Sequence, residues 1–226
     1  MQVEAEMQAA QTTAPATPTD RPRDPIIATG VTFAEYMEKY AHDFAEFVDG
    51  AVIKMSPIQM IHDELSRFLE DVFQAYLHFL GGGKVFQAPM VMKPSADTRG
   101  REPDLMVLLP ENVEKAKPTY IEGAADLVVE IISPESVERD RGSTFTEYER
   151  AGVTEYWIID PYRKESLFYV LSDNGMYAQR GIDESGIYTS LVLPQLRLSI
   201  TLLWQDPMPN VVETVEMVRA LFTEGT

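Results

Sequence analysis

Between residues 59 and 80, in QMIHDELSRFLEDVFQAYLHFL, apolar side chains recur every three or four positions. Ile61, Leu65, Phe68, Leu69, Val72, Tyr76 and Leu80 fall on one stripe, which predicts a helix. The glycines at 81–83 end it. Upstream, Thr32 stands as a cap before a short helix in FAEYMEKYA, and AEFVDGAVIKMSP reads as a hairpin turning at Asp49-Gly50 and stopped by Pro57. Downstream the pattern shifts to strands at 84–93, 104–109 and 126–132, a polar helix near 138–151 and a strand at 155–160. SLFYVL and GMYAQR read as a strand pair, LVLPQLRLSI as the strand that closes the sheet, and residues 211–222 as a final helix. Strands in the middle with helices on either side predict an α/β (α+β) domain built on a central sheet.

Composition sharpens this picture. The first 27 or so residues are rich in Ala, Thr, Pro and Gln with little to bury, so they are expected to be a disordered tail. The domain then covers 28–205, and the C-terminal helix lies in 206–226. The absence of cysteine from the 226 residues excludes disulfides and zinc-thiolate sites. No apolar run approaches the ~20 residues that cross a bilayer, and the N-terminus lacks a basic region followed by an apolar one; a cytoplasmic protein without a membrane is the expectation. The net charge of −17 argues against a long phosphate-gripping track, so any contact with DNA is expected to be local and weak, or assisted by a metal ion or partner.

Several motifs fail on inspection. GGGKV lacks the strand, spacing and hydroxyl of a phosphate loop and is a helix stop. His42, His62 and His78 form no i,i+4 pair, and His62 sits off the apolar stripe of its helix, where a surface or capping role is the default. No G-x-S-x-G elbow is present.

Two carboxylates are harder to dismiss. Glu130 interrupts the apolar run DLVVEII, where desolvating a charge costs several kcal/mol unless something pairs with it. Asp104, in REPDLMVLL, begins another apolar strand. Were these strands neighbours, the two acids would converge, and two convergent carboxylates repel unless one is protonated or a cation lies between them. Hard oxygen donors with open positions suit Mg²⁺ or Mn²⁺. The competing reading pairs Glu130 with a buried arginine as structural cement. Lys93, Arg99 and Arg101 before Asp104, and Arg139 and Arg141 after Glu130, would form a local basic rim.

In these segments the chain resembles the PD-(D/E)XK nuclease superfamily, in its Uma-type restriction endonuclease branch. The likeness spans about 32–205 and rests on AEFVDGAVIKMSP with His62, REPDLMVLL, DLVVEIISPESVERDRG and YERAGVTEYWIIDP, in that order. It implies a restriction-endonuclease-like core, a central mixed β-sheet flanked by helices. It further implies a metal held by Asp104, Glu130 and the backbone carbonyl of Ile131, with Glu46 as an acidic residue near the site, and in-line hydrolysis of a phosphodiester.

One departure stands out. The lysine of the superfamily is absent from the position two residues after Glu130, where Ile132 stands, and RDRGSTF places Thr144 where this branch resembles RDRGxKF. Thr144 can hydrogen-bond a water but carries no charge, and Arg141, one turn earlier, is a cation but a poor proton acceptor. Two functional classes follow: a Mg²⁺-dependent endonuclease of weakened activity, or a degenerate nuclease fold kept for binding or assembly, with a homodimer through exposed strands or the C-terminal helix. The same ligands would serve another phosphate ester.

Overall fold

The computed structural model describes residues 26–41, 45–48, 50–54, 60–94, 100–133 and 142–223, with only the main chain at Glu46, Val48 and Lys54. The Thr32 cap is made as the sequence requires. Its hydroxyl accepts from the Glu35 N–H at 3.2 Å and its own N–H donates to the Glu35 carboxylate at 3.1 Å, a reciprocal box that starts α1 (Phe33–Lys39). The hairpin forms from β2 (Ala45–Val48) and β3 (Ala51–Lys54), joined by β1 (Ile26–Ala28) in the order β1-β3-β2. The ordered domain therefore reaches back to Ile26, inside the segment read as tail; the rest of that tail lies outside the described residues.

Helix α2 (Met60–Leu80) buries a wider stripe than the spacing predicts, because Phe73 and Leu77 join Leu65, Phe68, Leu69, Val72 and Tyr76 in the core. The expected strand 84–93 divides into β4 (Lys84–Gln87) and β5 (Val91–Lys93), with Pro89, which has no N–H to give a ladder, between them. Strands β6 (Leu105–Leu108), β8 (Leu127–Ile131), β9 (Glu155–Asp160), β10 (Glu165–Leu171) and β11 (Tyr177–Arg180) join β4 in a six-stranded sheet, ordered β11-β10-β9-β8-β6-β4. Only β8 and β9 run parallel, and the crossover between them carries α3 (Ser143–Ala151), so the sheet is mixed. β5 pairs separately with β7 (Tyr120–Glu122).

The segment LVLPQLRLSI does not close this sheet. Its ordered part, β13 (Arg197–Ser199), pairs with β12 (Ile187–Thr189) in a ribbon of its own. A proline and the loop around it interrupt the run before the alternation can extend.

Period-two alternation gives the sheet two buried faces. Leu105, Val107, Leu127, Val129, Ile131, Trp157 and Ile159 face α2 and the C-terminal helix α4 (Val211–Thr223). Met106, Leu108, Val128, Ile132, Tyr156 and Ile158 face α3 through Tyr148. α4 is not an appendage: Val218 is fully buried, and the Phe222 ring lies 5.2 Å from that of Tyr76 and 5.7 Å from that of Phe79. Among the described residues no helix is long and apolar enough to cross a membrane.

The most deeply buried acid is Glu155, at the first position of β9, with no exposed surface. Five donors surround it. Trp157 Nε1 (2.7 Å) and the Tyr188 hydroxyl (2.8 Å) donate to Oε1, while Ser190 Oγ (2.9 Å) and the N–H groups of Leu191 and Val192 (both 2.8 Å) donate to Oε2. Full satisfaction makes a buried carboxylate tolerable, and here it pins the 188–192 loop to the end of the sheet. Glu155→Gln presents an amide NH₂ to donors whichever way it turns, so chemical denaturation should show a loss of roughly 3 kcal/mol or more.

Candidate active site

The register of β6 and β8 decides where the two sequence-predicted acids lie. Leu105 pairs with Val129 and Met106 with Val128, so one further step sets Asp104 across from Glu130. Glu130 shares the parity of Val128, on the face covered by α3, whereas Asp104 stands just before β6 and its carboxylate meets α2. Ordinary antiparallel pairing thus sets the two acids at opposite positions of neighbouring strands.

Asp104 stands just before β6 and continues the ladder with its side chain. Its Oδ2 accepts from the Ile131 N–H at 2.7 Å. The same oxygen lies 3.1 Å from Nε2 of His62, in the first turn of α2. An ionised carboxylate only accepts, so Nε2 carries the proton of that contact. Both contacts fall on Oδ2. His62, expected to be a surface or capping residue, is instead a partner of Asp104, and the two line a cleft of about 510 Å³ with Arg67, Glu70, Asp71 and Gln87.

Glu130 is half-buried rather than sunk in the core, although the other four residues of β8 are buried. Its Oε1 accepts from the Tyr148 hydroxyl at 2.6 Å. Burial, reinforced by the Glu130 charge and that of Tyr156, drives the Tyr148 hydroxyl well above the ordinary tyrosine range, against the pull of Arg101, so it remains a proton donor. Tyr148 lies one turn along α3 from Thr144. The Thr144 hydroxyl is buried and has no hydrogen-bond partner among the described residues.

The basic rim is corrected at one position. Arg101 is 3 % exposed, and its Nε donates to Oε2 of Glu147 on α3 at 2.7 Å. It ties α3 to the strand leading into Asp104 rather than facing solvent. Lys93 lies over the Phe33 ring, 4.4 Å from its centroid. Arg99, Arg139 and Arg141 fall outside the described residues; Glu46 is on β2 opposite Ile53, its side chain likewise outside them. Glu102, which the sequence reading passed over, is buried, and desolvation pushes its carboxyl up to about 8. A charged residue beside a Pro-Asp pair gives no sign of burial in sequence.

The donors present fit a divalent cation of the Mg²⁺ type. Among the described residues no three His, Cys, Asp or Glu side chains form a closed cage. Mg²⁺ keeps several waters and rarely fills a protein cage, so carboxylates at opposite positions of adjacent strands, with a backbone carbonyl, are the type of open oxygen donor it would take.

Residues 33–201 match the family model Uma2, described as "Putative restriction endonuclease". Among solved structures, the fold is similar to that of a protein described as a "putative nuclease" from Anabaena variabilis ATCC 29413, with a TM-score of 0.62 and 18% identity over 77% of this chain and 97% of that one. That likeness establishes the mixed-sheet α+β fold. Nothing among curated proteins matches the chain.

The Arg101–Glu147 pair yields a stability expectation. Glu147→Ala strips a buried guanidinium of this partner and should cost about 2 kcal/mol, below the ~3–5 of fully buried pairs because the Glu147 side chain is 25% exposed. Urea denaturation checks it.

Proposed function

From the premise that this chain belongs to the Uma2 family, we propose that it is a divalent-metal-dependent endonuclease hydrolysing DNA phosphodiester bonds. The observation that carries the reading is the register that sets Asp104 across from Glu130 at the open end of β6 and β8.

When bound, Mg²⁺ or Mn²⁺ supplies charge neutralisation on the phosphate and lowers the pKa of a water. Asp104, Glu130 and the backbone carbonyl of Ile131 are the groups that would hold it. His62 and the Ile131 N–H grip Asp104 Oδ2 and fix the plane of that carboxylate. The Thr144 hydroxyl orients the attacking water for in-line approach, but without an ammonium it adds no positive charge, so the basal rate is low. Arg141, in the segment leading into α3, supplies a cation to the anionic transition state, and Glu46 serves as accessory acid. With a net charge of −17, DNA is held locally, at the reacting phosphate, and not along an extended track.

The Thr144 position also favours a second reading, a nuclease fold retained for binding or assembly. One assay separates the two. Supercoiled plasmid incubated with the wild-type protein and Mg²⁺ or Mn²⁺ should be nicked, and Glu130→Gln or Asp104→Asn should reduce the rate about a thousandfold, the equivalent of several kcal/mol of charge stabilisation. Cleavage that persists in Glu130→Gln sinks the nuclease reading. Thr144→Lys should raise the wild-type rate; a silent wild type brought to life by this change marks the binding module.

A further inference from the structure

We propose that Tyr148 is a positioning residue for Glu130: its buried hydroxyl aims the carboxylate at the metal, and α3 is the arm that holds it there. The inference rests on the nuclease reading of the same site and extends it to a residue in none of the roles assigned above.

Three observations converge. The hydroxyl donates to Glu130 Oε1 at 2.6 Å, a short bond of the charge-assisted kind. The ring itself cannot swing, because Tyr148 is 1% exposed and packs edge-on against Tyr156 with centroids 5.1 Å apart. The helix beneath it cannot slide either, since the neighbouring residue Glu147 is bonded to buried Arg101, three positions before Asp104 along the chain. One helix thus grips both carboxylate strands: β8 through Tyr148, and the approach to Asp104 through Arg101.

The arrangement matters because Glu130 is only half-buried, so packing alone does not select its rotamer. A glutamate has three freely turning bonds, and ordering a long polar side chain carries an entropic cost. A fixed donor on one oxygen removes that cost before the ion arrives and leaves the carboxylate preset. Ligands oriented in this way by outer groups typically lose 10–100-fold in metal affinity when the outer group is removed.

The test is Tyr148→Phe, which deletes one oxygen and keeps the ring packed on Tyr156. Mn²⁺ binding to the DNA-free protein is followed by calorimetry and electron paramagnetic resonance, alongside plasmid cleavage across a Mn²⁺ titration. The expected result is Mn²⁺ affinity weakened about tenfold or more. Half-maximal cleavage should shift to correspondingly higher Mn²⁺, with much of the rate recovered at saturation. In a Glu130→Gln background the same change should produce no further loss of affinity. Unchanged affinity and an unchanged metal titration in a folded Tyr148→Phe protein would overturn the assignment. A variant that no longer folds would also overturn it, by making the hydroxyl a structural element. A wild type that neither binds Mn²⁺ nor cleaves defeats the nuclease reading itself, and that outcome is read before any variant is compared.

Discussion

Everything at the candidate site depends on the antiparallel register between β6 and β8. With Leu105 opposite Val129, the chain delivers Asp104 beside Glu130 without any special loop. Asp104 then takes the Ile131 N–H onto its side chain, so the carboxylate continues the ladder at the end of the strand. A shift of one residue would turn Glu130 toward α2 and expose Val129 in its place. Site and core are therefore written in one alternation, and neither can be rebuilt without the other.

Around that pair the fold sets two helices with different duties. α2 comes from the opposite face and reaches Asp104 only at its first turn, through His62. α3 lies on the face of Glu130, inside the crossover that makes β8 and β9 parallel, and meets that residue through Tyr148. The positive charge of Arg101 is spent inside the protein on Glu147, which leaves the approach to the site poorer in cations than the sequence implied.

Much of the sheet and the acid pair was legible because both obey short periods. The alternation in LMVL and LVVEI fixes which side chains share a face, and Glu130 stood out as polar among apolar neighbours. His62 was missed because a single histidine off the apolar stripe of a helix looks like a solvated residue; its partner is distant in sequence. Tyr148 was invisible for the opposite reason, since an aromatic at helical spacing reads as core, and only coordinates show its hydroxyl on a carboxylate. The closing strand was misplaced because LVLPQLRLSI has strand composition but its pairing partner, Ile187–Thr189, gives only a three-residue signal. Glu155 offered no sign either, its five donors lying mostly in residues 188–192.

That knot at Glu155 has a consequence for how the chain matures. The start of β9, a central strand, holds a carboxyl group whose amide and hydroxyl donors are translated more than thirty residues later. While the ribosome still encloses the 188–192 stretch, closing the central strands over Glu155 would leave its carboxyl without four of its five donors. A chain cut short before Ser190 therefore lacks three of the five groups that make this buried carboxyl tolerable, so the last stage of closing the sheet rests on residues made well after its central strands.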